Sequence, residues 1–281
     1  MRRARHFTYQ LLAFAAVFVL LSMSTMDSSR QKLETSSAFE IGDKLPIQAN
    51  TAFKEGEVLT YRLHYGLLNA GMAVLEVKPD LIHVNGRNVY HIVGSGYSTG
   101  TTDWFFKVRD RYETYLDKDA LLPWLFVRRV DEGGYKFKQD YVFNHYTKKV
   151  DIGNNQKYDV PSGVQDMVSA FYAGRNLKFS TAKVGEIISM PCFVDKEVWN
   201  LKIRYVGKEI IETDLGKFRC LKFNPIVQKG RVFKEEEDLT VWISDDQNHI
   251  PMRAQANVLV GSIKMDITDT HNLANATSKV N

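Results

Sequence analysis

Two carboxylates and an imidazole stand close together toward the carboxyl end of the chain. Asp245, Asp246 and His249 lie within five residues, a combination that could bind a divalent cation or supply a general base. Asn248 and Pro251 stand beside them, and segments of this composition commonly form turns in which Asp and Asn side chains bond their own backbone. We therefore interpret the segment as a loop and predict no metal site there.

The serines do not stand in patterns that activate a nucleophile. Gly94-Ser95-Gly96 and Ser162-Gly163 lack the flanking residues of a strand-to-helix nucleophile elbow. The glycine-rich run 94–100 lacks the spacing that lets backbone amides cradle a phosphate, and no histidine pair has the spacing of a zinc hydrolase. We predict no catalytic, metal-binding or cofactor-binding residue, and we favour a non-catalytic protein over an enzyme.

Cys192 and Cys220 are the only cysteines in the sequence. Two cysteines exclude a disulfide-dense scaffold and the zinc sites that are built from paired CxxC motifs. One disulfide can form if the two residues fall on neighbouring strands in an oxidising compartment, and two small buried thiols are the alternative. The sequence leaves these two interpretations open.

Aromatic residues are concentrated between residues 104 and 146. Large rings on a sheet can line an apolar cavity for an acyl chain or stack against a sugar, although filling a core is their commonest role. A ligand-lining role is our hypothesis, with core packing as the alternative. The candidate lining residues are Trp104, Phe106, Trp124, Phe126, Phe137, Tyr141 and Phe143.

Short alternating runs dominate the chain from residue 53 onward. Leu59, Tyr61 and Leu63 alternate with polar residues, which is the period of a strand with one buried face. Asn85-Gly86 tolerates the positive φ of a tight hairpin turn, and similar turn signals recur along the chain. The pattern predicts a mainly β domain over residues 53–270, an antiparallel meander that forms a barrel-like or curved half-barrel sheet. A sandwich of two sheets stays open.

One amphipathic helix is predicted at about residues 162–174. Ser162 and Gln165 have the spacing of a capping box, apolar residues then recur at helical spacing, and Gly174 can end the segment. We expect this helix to pack against the sheet between two β-rich lobes.

The first 24 residues have the pattern of a secretory signal. Positive charges precede an apolar run of 13 residues, Leu11–Met23, which is shorter than the roughly 20 residues that cross a bilayer as a helix. We expect export to the periplasm or cell envelope, with residues 1–24 either cleaved or kept as an inner-membrane anchor. Residues 25–52 are polar and predict a linker, and residues 271–281 predict a disordered tail.

The formal net charge of +4 is concentrated at the N-terminus. Arg2, Arg3 and Arg5 carry three of these charges and no acidic residue precedes Asp27, so the chain beyond the signal carries +1. Proteins that bind nucleic acid strongly usually have a clustered basic face. The near-neutral body therefore excludes nucleic acid as a partner.

Several motifs together resemble one bacterial family. Phe53-Lys54-Glu55-Gly56-Glu57-Val58-Leu59-Thr60-Tyr61 is followed by Tyr65-Gly66 and Ala70-Gly71-Met72-Ala73. With the predicted helix, the 207–220 hairpin and the 241–246 segment that leads to Pro251, residues 53–265 resemble the uncharacterised family designated domain of unknown function 3108. The resemblance implies an exported envelope protein with a strand-rich domain and one helix. Such a fold is similar to the curved half-barrels that hold lipid or acyl chains in bacterial envelopes.

These observations predict an exported cell-envelope protein of non-catalytic function that binds an apolar or amphipathic ligand such as a lipid or glycolipid. The first alternative is a protein-interaction or assembly factor that contacts another envelope protein through an exposed strand edge or aromatic patch. An envelope hydrolase ranks third. The sequence does not specify the ligand, the partner or the oligomeric state.

Overall fold

The computed structural model describes residues 44–66, 68–226, 238–257 and 261–280. Most of these residues form strands, because alternating sequences turn one apolar face of each strand toward a shared interior. The strands are β1 (Val58–Tyr65), β2 (Leu68–Val77), β3 (Ile82–Val84), β4 (Arg87–Ser98), β5 (Arg109–Asp117), β6 (Pro123–Glu132), β7 (Tyr135–Asn144), β8 (Lys149–Asp151), β9 (Lys157–Asp159), β10 (Ile187–Val194), β11 (Glu197–Thr213), β12 (Gly216–Pro225), β13 (Leu239–Ser244), β14 (Pro251–Asn257), β15 (Ser262–His271) and β16 (Lys279–Val280). The helices are α1 (Gly100–Phe105) and α2 (Met167–Gly174).

The strands of the described ranges belong to one antiparallel sheet. Its order is β10, β11, β12, β13, β14, β15, β1, β2, β4, β5, β6, β7, β8, β9, while β3 pairs with β4 and β16 pairs with β12. Strand β1 pairs with both β15 and β2, so the two predicted lobes are halves of one sheet. The prediction of a mainly antiparallel, curved β fold is confirmed. The sheet is not closed, because its terminal strands β9 and β10 do not pair with each other.

Successive connections alternate between the two ends of the sheet, because neighbouring strands run antiparallel. The β4–β5 connection contains α1 and lies at the same end as the β1–β2, β6–β7 and β10–β11 turns; we call this the α1 end. The other end carries the β5–β6, β7–β8 and β13–β14 connections. The chain enters the described structure there, since the backbone amide of Gln48 donates to the carbonyl of Asp119 at 2.7 Å. We call it the entry end.

Helix α2 is capped at its N-terminus by a buried carboxylate. Asp166 accepts hydrogen bonds from the backbone amides of Val168 and Ser169 at 2.7 and 2.8 Å, and the Ser169 hydroxyl accepts from the Asp166 amide. Asp166 also accepts from the Thr114 hydroxyl of β5 at 2.6 Å, which ties the helix start to the sheet. The helix lies between β5 and β10 and is buried on nearly all sides, so its predicted packing against the sheet is confirmed.

The predicted start of this helix was wrong. Ser162 lies outside it, and Gly163, with φ at +76°, adopts a turn conformation that interrupts a helix. Gln165 is in extended backbone, because it forms a parallel bridge with Cys192 of β10. The predicted end at Gly174 is confirmed. Helix α1 was not predicted, and its six residues are too few to show an apolar period.

A buried ion pair joins the beginning of the domain to the end of α2. Arg175 donates to both carboxylate oxygens of Glu57 at 2.6 and 2.8 Å, and the two side chains are 2% and 0% exposed. Arg175 also donates to the backbone carbonyls of Ala52 and Asn248. Because an unpaired buried charge is costly, these bonds fix the 52–57 segment and the β13–β14 loop at the end of α2. Ala52 is itself buried, so the predicted linker over residues 25–52 ends inside the packed domain.

The C-terminal residues are ordered as far as Val280. Strand β16 pairs with β12, and the backbone amide of Ser278 donates to the Asp246 carboxylate at 2.7 Å. Asn275 bonds the side chain of Asn248 through its own backbone amide. The prediction of a disordered tail over residues 271–281 was therefore wrong for 271–280, because this segment pairs with β12 and its backbone amides donate to side chains of the β13–β14 loop.

The predicted signal or anchor, residues 1–24, and the linker as far as residue 43 lie outside the described residues. Within the described ranges, neither helix combines the length and the apolar character that crossing a bilayer requires.

Candidate functional site

Four of the seven candidate lining residues are buried: Trp124, Phe126, Tyr141 and Phe143. The last three belong to the largest core cluster, which surrounds α2, whereas Trp124 is not part of that cluster. Tyr141 packs against Phe126 and against Phe193 of β10, with ring centroids 5.8 and 5.0 Å apart. Rings from β6, β7 and β10 therefore fill this part of the interior, as in the core-packing alternative. A ligand-lining role for the four stays a prediction.

The other three candidates lie toward the α1 end, where Phe137 and Phe106 are half-buried and Trp104 is exposed. The Phe137 ring of β7 lies against the guanidinium of Arg128, 5.3 Å from its carbon. Phe106, the C-cap of α1, covers the backbone of Gly133, where a Cβ would stand 2.4 Å from the Phe106 ring. Trp104 of α1 is exposed. The seven residues thus run from the interior to one end of the sheet, and they do not surround a single point.

Two carboxyl groups face the interior at the α1 end of β5 and β6. Asp110 and Glu132 are hydrogen-bonded to each other through their carboxyl groups. Burial and then the charge of Asp110 raise the pKa of Glu132 to about 7, and burial also raises the pKa of Asp110. Both carboxyls are therefore protonated more readily than a solvent-exposed Asp or Glu.

Arg128 of β6 supplies the positive charge of this group. Its guanidinium lies 5.7 Å from the Tyr112 ring and 5.3 Å from the Phe137 ring. Nη1 donates to the carboxylate of Asp195 at 3.1 Å. Asp195 belongs to the β10–β11 turn, so this ion pair links two strands that lie near opposite edges of the unclosed sheet. We refer to Asp110, Tyr112, Arg128, Glu132 and Asp195 as the Arg128 cluster.

Sequence analysis missed the Arg128 cluster because no local motif marks it. Its members come from two strands, β5 and β6, and a distant turn. The available signal was strand alternation: Asp110 shares the inward face of β5 with Tyr112, and Arg128 shares that of β6 with Phe126. A charge at an inward position of an apolar strand indicates a buried polar partner.

The loop that contains Asp245 and Asp246 is held by a hydrogen bond within it and by contacts with two other segments. The Asp246 carboxylate accepts from the backbone amides of Asn248 and Ser278, and His249 Nδ1 lies 2.6 Å from the Arg175 carbonyl oxygen. These bonds support the turn interpretation. The described residues contain no group of three His, Cys, Asp or Glu side chains arranged to hold a metal ion.

Both cysteines are free and buried. Cys192 lies on β10 in the cluster around α2, and Cys220 lies on β12 in a second core cluster with the residues of β1 and β15. The two thiols do not form the disulfide that the sequence left open. Burial raises the pKa of each to about 12, so neither is a thiolate at neutral pH.

Comparison with protein families gives one match to the chain. The model of the family described as "Protein of unknown function (DUF3108)" matches residues 60–268, which is the family that the sequence motifs resemble. Among curated proteins, no sequence matches the chain.

Several solved structures are similar in fold. A β-barrel-like protein of domain of unknown function DUF1849 from Brucella abortus is 10% identical, with a TM-score of 0.52, and the alignment covers 80% of this chain and 98% of that one. A proposed lipoprotein from Parabacteroides distasonis is 11% identical, with a TM-score of 0.34 and coverage of 82% and 100%. A proposed exported protein with a YmcC-like fold from Bacteroides fragilis is 10% identical, with a TM-score of 0.31 and the same coverage. At 10% identity, the similarity to the Brucella abortus protein concerns the fold alone.

Proposed function

The chain belongs to the DUF3108 family, and from this premise we propose that it is an exported, non-catalytic protein of the cell envelope that binds an amphipathic lipid or glycolipid. The apolar run after the arginine-rich start supports export. The buried thiols with raised pKa values and the turn-forming carboxylates give no support to an envelope hydrolase.

The observation that carries the proposal is the seam between the two edges of the unclosed sheet. Side chains bridge this seam, through the Arg128–Asp195 ion pair and the packing of Phe193 against the rings of β7. Two backbone hydrogen bonds between Gln165 and β10 complete it: the Gln165 amide donates to the Pro191 carbonyl, and the Phe193 amide donates to the Gln165 carbonyl. A seam of this kind lacks a continuous ladder of backbone hydrogen bonds, so its opening requires less free energy than parting two paired strands. An acyl chain can enter the aromatic interior there.

The Arg128 cluster offers a polar terminus to such a ligand. A guanidinium is matched in shape and charge to a phosphate or carboxylate. The guanidinium of Arg128 lies against the rings of Tyr112 and Phe137. An anionic headgroup that replaces Asp195 at Arg128 would break the ion pair across the seam. Headgroup binding and entry of the acyl chain past Phe137 would then be coupled.

Mass spectrometry of lipids extracted from the purified natural chain tests the proposal. We expect a copurifying lipid that is lost in Phe137→Asp, because a carboxylate at this inward position repels both the acyl chain and the headgroup. Val142→Asp is the matched control, since Val142 lies on the same strand but faces outward. Circular dichroism checks that both variants fold. Absence of lipid from the natural chain, or equal lipid on both variants, would overturn the proposal.

A protein-interaction or assembly factor is the second candidate. It is favoured by exposed apolar side chains at the β10 side of the sheet: Val184, Ile187, Val198 and Ile210. Among the described residues, the 187–190 part of β10 has a strand partner only in β11, so another envelope protein could add a strand to it. Cross-linking of the natural chain and of Ile187→Lys in intact cells tests this role. It predicts a cross-linked partner that the variant loses.

A further inference from the structure

Helix α1 presents the two most exposed aromatic rings of the described residues. Trp104 is 81% exposed and Phe105 is 73% exposed, and their ring centroids are 4.4 Å apart. Leu68, at the start of the neighbouring strand β2, is 65% exposed. We call these three residues the aromatic tip. The two rings alone expose about 300 Å² of apolar surface, and soluble proteins rarely leave such a patch without a function.

Polar contacts beneath the aromatic tip hold it in place. Asp103 of α1 accepts hydrogen bonds from the Ser98 hydroxyl at 2.5 Å and from Arg109 Nη1 at 2.6 Å. Ser98 is buried and also accepts from the backbone amide of Val108 at 2.9 Å. These bonds orient a six-residue helix that buries none of its own side chains. The exposure of the two rings is therefore built into the fold.

The charges around the aromatic tip favour an anionic partner. Asp103 is paired with Arg109, whose hydrogen bond lowers the pKa of that carboxyl, and Asp131 is paired with Lys136 at 3.4 Å. Lys107 follows the tip directly and is exposed, and no carboxylate of the described ranges forms an ion pair with it. Lys107, unpaired within the described part of the chain, thus adds a positive charge to the exposed surface beside the tip.

We propose that the aromatic tip docks the protein on the surface of an anionic lipid bilayer, with Trp104 and Phe105 inserted among the headgroups and Lys107 beside lipid phosphates. Trp is enriched at membrane interfaces, and interfacial apolar side chains enter to a depth of about 5–10 Å. The area of the two rings is less than half of the roughly 800 Å² that each partner buries in a stable protein interface. Its size therefore favours a lipid surface over a protein.

This docking goes beyond the binding of a single lipid molecule, and it uses residues outside the Arg128 cluster. It also differs from attachment through residues 1–24. The chain enters the described structure at the entry end, where Gln48 bonds Asp119, whereas Trp104 lies at the α1 end.

Fluorescence quenching tests the docking site on the full chain. Vesicles of brominated phosphatidylcholine with brominated phosphatidylglycerol are added, and the signal of Trp104 is obtained by subtracting the emission of Trp104→Phe from that of the natural chain. We expect strong quenching of this difference signal. A Trp104→Ser/Phe105→Ser double variant should bind the same vesicles at least about tenfold more weakly.

Leu81→Ser is the matched control, because Leu81 is also an exposed apolar residue but lies at the entry end. It should bind vesicles like the natural chain. If the protein binds vesicles while the Trp104 signal stays unquenched, residues 1–24 hold it there and the docking proposal is wrong. Absence of vesicle binding also overturns it, and equal quenching by vesicles of phosphatidylcholine alone overturns its anionic part. Each outcome is independent of whether a lipid copurifies.

Discussion

The two helices of this protein differ in what holds them and in what they display. Helix α2 has a buried carboxylate cap, lies between β5 and β10, and buries six of its eight residues. Helix α1 has no side-chain cap at Thr99, buries none of its residues and turns two aromatic rings to the solvent. Helix α2 therefore contributes to the core of the domain. Helix α1 is held in place by the rest of the domain, and its aromatic rings face the solvent.

The largest effect should come from the charge at the end of α2. Arg175→Met leaves Glu57 buried without its partner, and we expect it to lower the free energy of unfolding by about 3–5 kcal/mol. The double variant Glu57→Gln/Arg175→Met removes both charges and should recover part of the loss. Urea denaturation measures both. If Arg175→Met lowers the free energy of unfolding by less than about 1 kcal/mol, the structural role that we assign to this helix is wrong.

The cap of α2 should have the next largest effect. Asp166→Ala removes the acceptor for two backbone amides and for the Thr114 hydroxyl, and we expect a loss of about 2 kcal/mol. Asp103→Ala is the matched change in α1. Because Asp103 lies at the surface, its substitution should lower the free energy of unfolding by much less than Asp166→Ala does in the same denaturation assay. Equal losses would erase the difference between the helices.

A smaller, pH-dependent effect is expected beside α1. The pKa of Glu132 is raised from its ordinary 4.5 to about 7, so the folded protein binds more protons than the unfolded chain between these values. Stability therefore falls as the pH rises through this window. Because Glu132 is partly exposed, we expect Glu132→Gln to reduce the fall by only about 1–2 kcal/mol. Urea titrations at several pH values measure how the free energy of unfolding changes with pH. If the natural chain and Glu132→Gln show the same pH dependence, the pKa of Glu132 is not raised.

The smallest effect should come from the aromatic tip. Trp104→Ser/Phe105→Ser should change the free energy of unfolding by no more than about 0.5 kcal/mol, because neither ring is buried. Thermal denaturation monitored by circular dichroism measures the change. A loss of several kcal/mol would mean that the rings stabilise the domain, and the contrast between α1 and α2 would then disappear.

Local patterns in the sequence predict the strands better than the helices. The alternation of Leu59, Tyr61 and Leu63 is a local property, and β1 has this inward face. The start of α2 depends on a distant contact. Gln165 is in extended backbone because it pairs with Cys192 of β10, so the helix is capped at Asp166.

The Arg128 cluster and the C-terminal strand depend on the same kind of long-range contact. Arg128 meets Asp195 across the seam, and Ser278 meets Asp246 from the end of the chain. No spacing within either segment indicates its partner. The aromatic residues were identified from composition, yet only the fold separates the buried Phe126 from the exposed Trp104.

The placement of α1 and of the chain entry at opposite poles has a mechanical consequence. Strands β2, β6, β7, β12 and β15 each have 10 residues, which corresponds to a length of about 3 nm between the two ends of the sheet. If the first residues stay in a membrane, the domain is tethered at its entry end, and Trp104 lies at the opposite, α1 end. The distance between the membrane and the domain is then limited by residues 25–43, which can span at most about 3.6 Å for each residue. This distance decides whether the α1 end can reach a second layer of the envelope or the membrane that holds the first residues.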